Sequence, residues 1–297
     1  MTRLKKIFKM IDFGAGNSSE IRDLLHRIQE ALGRIENRQL MNTHQDSIQE
    51  YEFKVYSQWG EDGILQFLIK NVDIRRKIFV EFGVENYVEA NTRFLLVNNN
   101  WSGLVIDSDK ENIQYIKNDS IYWKYNLKAT CEFIQRENIN KILVDNGVTG
   151  DIGLLSIDID GNDYWIWDAI DAVTPAVVLI EYNHRFGQEK AVTIPYDRHF
   201  ARGKAHHSNI YYGASLAALC LLGNRKGYAF VGCNKDGNNS FFVRKDVKPE
   251  CIREITVAEG FVAGQFRESR DEKGHLLYLS EKEEREILSS LPLVEVK

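Results

Sequence analysis

Residues 78–83, Ile-Phe-Val-Glu-Phe-Gly, combine a short apolar run with an acid and a glycine at its end. A run of this length is typical of a buried parallel strand. A glycine there lets the backbone approach a ligand closely, and a helix that follows offers unpaired N–H groups. One glycine is fewer than the three of a dinucleotide fingerprint. The segment therefore predicts the first strand of a ligand-binding α/β sheet, with Glu81 and Gly83 at the site.

Six further apolar runs have the length of strands, at residues 104–106, 121–125, 154–159, 177–182, 228–231 and 240–244. Helical stretches at residues 91–98, 130–137 and 215–222 lie between them. The turn-forming residues 234–239, Asn-Lys-Asp-Gly-Asn-Asn, join the last two runs into a hairpin. We predict an α/β fold with a Rossmann-like sheet of five parallel strands and a terminal antiparallel hairpin, with ligands at the carboxyl ends of the strands.

An acid also ends the second predicted strand. Asp107 lies about two dozen residues beyond Gly83, where a carboxylate can accept hydrogen bonds from both hydroxyls of a ribose. We interpret Asp107 as a ribose ligand and the neighbouring Asp109 as an exposed helix cap.

Three aspartates, Asp158, Asp160 and Asp163, follow the fourth predicted strand. Their charges would crowd together unless they bind something. Alternation along the chain places Asp158 and Asp160 on one side, where they can share a divalent cation such as Mg²⁺, cofactor groups or a substrate proton. The alternative is that one caps the next helix while another is merely exposed, an interpretation that suits Asp163 best.

A segment of roughly thirty residues, 184–212, separates the fifth strand from the next helix, and connections of that length are usually functional. It holds four histidines, of which we take His206 and His207 as candidates to support catalysis. It also has an excess of basic residues: Arg185, Lys190, Arg198, Arg202 and Lys204. A basic lid indicates an anionic acceptor, such as a phosphorylated or nucleotide-linked sugar.

Together these segments resemble the FkbM-type family of S-adenosylmethionine-dependent methyltransferases. The resemblance covers about residues 53–245 and rests on several short matches. They are Tyr-Ser-Gln-Trp-Gly-Glu-Asp at 56–62, Phe-Val-Glu-Phe-Gly at 79–83, Asn-Thr at 91–92, Trp-Ser-Gly-Leu-Val-Ile-Asp at 101–107 and Ser-Ile-Asp-Ile-Asp-Gly at 156–161.

The resemblance implies a class I methyltransferase sheet and S-adenosylmethionine as cofactor. The cofactor contacts that it implies lie near Ser57, Gln58, Glu81, Gly83 and Asp107, and we add Asp158 as a cofactor-binding candidate from its place after the fourth strand. It places Asp160 at the reacting centre, as base or metal ligand, and implies O-methylation of a sugar-type small molecule in surface-polysaccharide biosynthesis. The chain departs from the family in Asp107, where glutamate is frequent, and in residues 84–86, Val-Glu-Asn, where smaller residues are usual. The second departure leaves the pose of the cofactor open.

Two other classes of function remain as alternatives. Asp158-Ile159-Asp160 also matches the metal-binding DxD of a nucleotide-sugar glycosyltransferase, although that motif usually follows a different strand order and leaves the hairpin unexplained. A non-catalytic scaffold would account for the N-terminal helix but not for the crowded acids.

Composition and sequence pattern argue against several other classes of protein. The net charge of -5 argues against general nucleic-acid binding, and no apolar stretch approaches the length of a transmembrane helix. The start of the chain lacks the long apolar region of a secretory signal. The four cysteines form no CxxC pair, which argues against a zinc ribbon or a disulfide framework. We expect a cytoplasmic protein.

By composition and sequence pattern we divide the chain into an N-terminal helix (residues 1–50), the methyltransferase-like domain (51–246) and a charged C-terminal appendage (247–297). Apolar residues of the helix recur at alternate spacings of four and three, as in the seam of a short coiled coil: Ile21, Leu25, Ile28, Leu32 and Ile35. This seam either joins two copies into a homo-oligomer or packs on its own domain.

Overall fold

The computed structural model describes residues 21, 24–40, 42, 43 and 45–297. The chain separates into two compact units, Met1–His44 and Gln45–Lys297. In the first unit, residues 24–40 are helical, as expected. The five seam residues are each between 47% and 57% exposed. Pairing through this seam stays a prediction.

Seven strands of the second unit form one sheet: β1 (Ile78–Phe82), β2 (Ser102–Asp107), β3 (Leu127–Cys131), β4 (Gly150–Ile157), β5 (Val173–Glu181), β6 (Tyr228–Cys233) and β7 (Asn239–Arg244). Their order is β3-β2-β1-β4-β5-β7-β6. The first five strands are parallel, and β7 is antiparallel to both of its neighbours. This arrangement confirms the predicted Rossmann-like sheet with a terminal hairpin. The strand order reverses at β1 and β4, where such folds bind ligands.

The α-helices of the second unit are α1 (Glu61–Asn71), α2 (Arg93–Asn99), α3 (Lys110–Asn118), α4 (Ser120–Lys124), α5 (Ile139–Asp145), α6 (Asp163–Ala169), α7 (Arg202–Ala205), α8 (Leu216–Arg225), α9 (Val257–Gly260) and α10 (Glu281–Ser289). Short 3₁₀ turns cover Ile48–Tyr51 and His184–Phe186, and Val192–Thr193 pairs with Val294–Glu295. The buried apolar residues form two core clusters, and neighbouring residues of β1 alternate between them: Phe79 packs in one and Val80 in the other. Apolar groups therefore cover both faces of the sheet, as near-continuous apolar strands require.

The third strand was predicted in the wrong place. Residues 121–125 were expected to be a strand, but Ser120–Lys124 is helical. The Asp119 side chain accepts a hydrogen bond from the backbone N–H of Ile121 at 2.9 Å and so caps the helix. The cap outweighs the strand propensity of Ile-Tyr-Trp, because such propensity depends on context.

Because the third strand was misplaced, the helix predicted at residues 130–137 is also wrong. That segment contains the end of β3 and a loop, and the helix α5 begins only at Ile139. In β3 the side chain of Lys128 is exposed between buried Leu127 and Ala129. This short alternation is the true strand signal.

The C-terminal part packs on elements that follow β5. The hydroxyl of Tyr182 donates to the carbonyl of Val262 at 2.6 Å, and Arg185 pairs with Glu284 at 3.1 Å. Within the part of the chain that the structure describes, no helix has both the length and the apolar character needed to cross a membrane.

Candidate active site

A cleft of about 650 Å³ lies at the carboxyl ends of β1, β2, β4 and β5. Six predicted site residues line it: Gln58, Glu81, Gly83, Asp107, Asp158 and Asp160. Among the described residues that line the cleft, one is basic, Arg202, and nine are acidic: Glu81, Glu85, Glu89, Asp107, Glu132, Asp158, Asp160, Glu181 and Glu268. A concave surface of this charge favours a ligand with positive charge.

Gly83 allows the ends of β1 and β4 to touch. Its φ is +69°, and a Cβ placed on it would lie 1.7 Å from the carbonyl oxygen of Asp158. The backbone conformation and this contact each exclude a side chain. The glycine is therefore required by the contact between the two loops, in addition to any approach of a ligand.

Glu81 connects the end of β1 to the start of α2. It is 3% exposed, and its carboxylate accepts hydrogen bonds from the N–H groups of Asn91 (2.8 Å) and Thr92 (3.1 Å) and from the Thr92 hydroxyl (2.5 Å). Burial raises the pKa of Glu81 to about 7. Near neutral pH its charge therefore depends on what occupies the cleft.

Asp107 joins the loops after β1 and β2. Its Oδ2 accepts from the N–H of Glu85 at 2.8 Å, and its Oδ1 accepts from the N–H of Asp109 at 2.8 Å and from Asn112 Nδ2 at 3.3 Å. Three of the roughly four lone-pair sites of a carboxylate are thus in use. One site on Oδ2 remains open. Asp109 accepts from the N–H of Glu111 at 2.7 Å, the capping contact expected of it.

The segment at residues 56–62 is organised by Asp62. This buried carboxylate accepts from the N–H groups of residues 55–57 at 2.6–2.8 Å and from the Ser57 hydroxyl at 3.0 Å. Ser57 is fully buried and is not among the described residues that line the cleft, whereas Gln58 lines it. Ser57 therefore shapes the loop, and Gln58 is the one of the two residues that faces the cleft.

Glu61 of the same segment fixes the hairpin turn. Its Oε1 accepts from the side-chain amides of Asn234 and Asn239, each at 2.8 Å. Asn238 and Asn239 of that turn line the cleft. The turn between β6 and β7 is thus part of the site.

Asp158, Asp160 and Glu181 bring three carboxylates together. One oxygen of each lies within 4.8 Å of the others. Glu181 is 7% exposed, and among the described residues its Oε2 has no hydrogen-bond partner. Burial, followed by the charge of Asp160, raises the pKa of Asp158 well above its usual range, and burial and the charge of Asp158 do the same for Glu181. The cluster therefore suits a ligand that brings positive charge.

Asp163 supports the loop that carries this cluster. Its Oδ1 accepts from the N–H of Ile159 at 2.8 Å and its Oδ2 from the N–H of Gly161 at 2.9 Å. It is fully buried in the first turn of α6. Asp163 therefore holds the loop before α6 instead of capping the helix, and it lies outside the cluster of three carboxylates.

Arg202 reaches the cleft from the long segment after β5. Its Nη1 lies 2.6 Å from Asp160 Oδ1 and its Nη2 lies 2.6 Å from Glu268 Oε2. The guanidinium also lies 3.7 Å from the centre of the Tyr212 ring. Arg185 of the same segment is instead buried against Glu268 and Glu284.

Neither His206 nor His207 is found among the described residues that line the cleft. His206 Nδ1 shares a hydrogen bond of 2.7 Å with the Ser208 hydroxyl, and the two imidazole rings lie 4.2 Å apart. A catalytic role for either histidine requires this segment to move, and it stays a prediction.

Sequence reasoning missed several residues of the cleft. Glu181 had a signal, because it is an acid that ends a buried strand, much as Glu81 lies next to the end of β1. Phe133 was missed because the strand before it was misplaced. Phe266 and Glu268 had no signal, since they come from the C-terminal part and reach the cleft only through the fold.

No family model matches this chain, and no curated protein matches it. Among solved structures it is similar in fold to an S-adenosylmethionine-dependent methyltransferase from Clostridium acetobutylicum, with 10% identity over 62% of this chain and 89% of that one and a TM-score of 0.38. A putative caffeoyl-CoA O-methyltransferase from Staphylococcus aureus has 14% identity over 62% and 82% of the chains, with a TM-score of 0.40. An O-methyltransferase from Bacillus cereus in complex with SAH has 10% identity over 61% and 78%, with a TM-score of 0.38. Membership of the FkbM-type family stays a prediction.

Proposed function

We propose that this chain is an S-adenosylmethionine-dependent methyltransferase that acts on a hydroxyl oxygen of a small molecule. The observation that carries the proposal is the excess of acids in a cleft at the carboxyl ends of the strands. S-adenosylmethionine has a sulfonium and an ammonium group, so this charge attracts it. The pyrophosphate of a dinucleotide would be repelled.

The cleft offers a place for each part of the cofactor. Asp107 would accept from a ribose hydroxyl, and Glu81 with Gln58 would lie near the amino acid end. Phe133 follows β3, is 46% exposed and lines the cleft, so its ring would stack on the adenine. Asp158 would face the sulfonium. These residues would therefore give each part of the cofactor a partner of suitable charge or polarity.

In the reaction the acceptor hydroxyl loses its proton as its oxygen bonds to the methyl carbon, while the carbon–sulfur bond breaks. Asp160 would act as the base that takes the proton or as a ligand to a divalent cation that makes the hydroxyl more acidic, and S-adenosylhomocysteine would leave. Asp158, whose pKa is raised mainly by burial, would support it. Alignment of oxygen, carbon and sulfur supplies much of the acceleration, so a strong base is unnecessary.

The structure changes what charge we propose for the methyl acceptor. An anionic acceptor was expected from the basic lid, but of those basic residues only Arg202 is among the described residues that line the cleft, and it already contacts two carboxylates. We propose an uncharged, hydroxyl-rich acceptor of sugar type instead. Surface-polysaccharide biosynthesis remains the context that the FkbM-type resemblance implies. The four free cysteines are consistent with the cytoplasm.

Calorimetric titration of the full chain with S-adenosylmethionine, and separately with UDP-glucose and Mn²⁺, tests the proposal. We expect S-adenosylmethionine to bind one per chain and the nucleotide sugar not to bind. Binding of the nucleotide sugar alone would favour a glycosyltransferase and reject the proposal.

A further inference from the structure

We infer that Asp158, Asp160 and Glu181 form a binding site for one divalent cation of the Mg²⁺ or Mn²⁺ type. The role that we give to the cation rests on the proposed function, whereas its binding does not.

The first observation is the placement of the three carboxylates. Asp158 and Asp160 follow β4, and Glu181 is the last residue of β5, the parallel neighbour of β4. One oxygen of each lies within 4.8 Å of the others, and all three residues line the cleft. Carboxylate oxygens are the ligands that hard divalent cations prefer.

The second observation is the unpartnered oxygen of Glu181. This side chain is more than nine-tenths buried, and within the described residues its Oε2 accepts no hydrogen bond. A buried carboxylate oxygen without a partner is unfavourable, because the group has lost water and gained nothing. A cation between the three carboxylates would supply the missing partner.

The third observation is the small number of basic partners of the three carboxylates. Arg202 contacts Asp160, but it also contacts Glu268, which pairs in turn with Arg185. No described basic side chain forms an ion pair with Asp158 or Glu181. Arg202 therefore does not balance the charge of three ionised carboxylates, whereas a divalent cation would stabilise their ionised forms.

The number of ligands has a consequence for the acceptor. Mg²⁺ takes about six ligands, so three carboxylates that give one oxygen each leave about three positions open. Two neighbouring hydroxyl oxygens of an acceptor fit such positions, which narrows the proposed substrate class to vicinal diols. A bound cation would also lower the pKa of the hydroxyl that it contacts.

Titration of the metal-free full chain with Mn²⁺, followed by the electron paramagnetic resonance signal of free Mn²⁺, tests the site. We expect one Mn²⁺ per chain. Glu181→Gln and Asp158→Asn should weaken binding by at least the roughly 10- to 100-fold that loss of an outer-shell partner costs. Glu89→Gln removes a cleft carboxylate outside the cluster and should leave Mn²⁺ binding unchanged.

The outcomes separate this inference from the proposed function. A chain that binds S-adenosylmethionine in EDTA but no Mn²⁺ would overturn the cation site alone. Equal Mn²⁺ affinity in the Glu181→Gln, Asp158→Asn and unmodified chains would also overturn it, provided that circular dichroism shows all of them folded. A chain that binds Mn²⁺ at this site but no S-adenosylmethionine would keep the site and reject the methyltransferase.

Discussion

The space beside the Gly83 Cα is occupied by the carbonyl oxygen of Asp158, which would lie 1.7 Å from a Cβ at that position. The end of the strand expected to bind the cofactor thus touches the loop that carries the proposed reacting carboxylates. The two parts of the site are coupled through the backbone.

Gly83→Ala should destabilise the chain by about 2–5 kcal/mol, because an unfavourable φ and a contact with backbone both contribute. Gly150→Ala is the matched control, since Gly150 has a φ of +68° but nothing within 4 Å of an added Cβ. It should cost only the roughly 1–2 kcal/mol of the conformation. Thermal denaturation measures both, and equal losses would mean that the contact with Asp158 is unimportant.

Asp107→Ala should weaken S-adenosylmethionine binding by roughly 1.5–3 kcal/mol, the range for a hydrogen bond to a charged group. Asp109→Ala is the control two residues away. It removes the cap of α3 and should lower the melting temperature while leaving the affinity intact. Calorimetry of both variants decides the matter, and an Asp107→Ala chain that binds as tightly as the parent would show that the ribose lies elsewhere.

The affinity for S-adenosylmethionine should rise as the pH increases through about 7. Burial raises the pKa of Glu81 to about 7, so the group is mostly protonated below that pH and ionised above it. The positively charged cofactor favours the ionised form, and its binding should release a proton below about pH 7. Titrations in buffers of different ionisation enthalpy measure this release. An affinity that does not change between about pH 6 and about pH 8 would contradict a role for Glu81 in binding.

Removal of residues 1–44 should lower the mass measured by light scattering, because the half-exposed seam residues of the N-terminal helix would no longer join two copies. Ile48 is left in place, since it is buried in a core of the second unit. The affinity for S-adenosylmethionine serves as the control and should not change. A single-chain mass for both the full and the shortened protein would reject self-association.

The parts of this fold that were predictable share a local signal. Runs such as residues 78–82 have strand length and end in chemistry-bearing residues, so the sheet and the first residues of the cleft, Glu81 and Gly83, follow from the sequence. The third strand was missed because one capping side chain, Asp119, outweighs the propensity of the residues after it. Arg202 meets Asp160 and Glu268 only through long-range packing, for which the sequence has no local pattern.

A crystal structure of the complex with S-adenosylhomocysteine tests the central claim most directly. We predict a ribose hydroxyl within roughly 2.5–3.0 Å of Asp107 Oδ2, the usual range for such a bond, and the sulfur directed toward Asp158 and Asp160. A complex with the ligand outside this cleft, or with its ribose away from Asp107, would contradict the account.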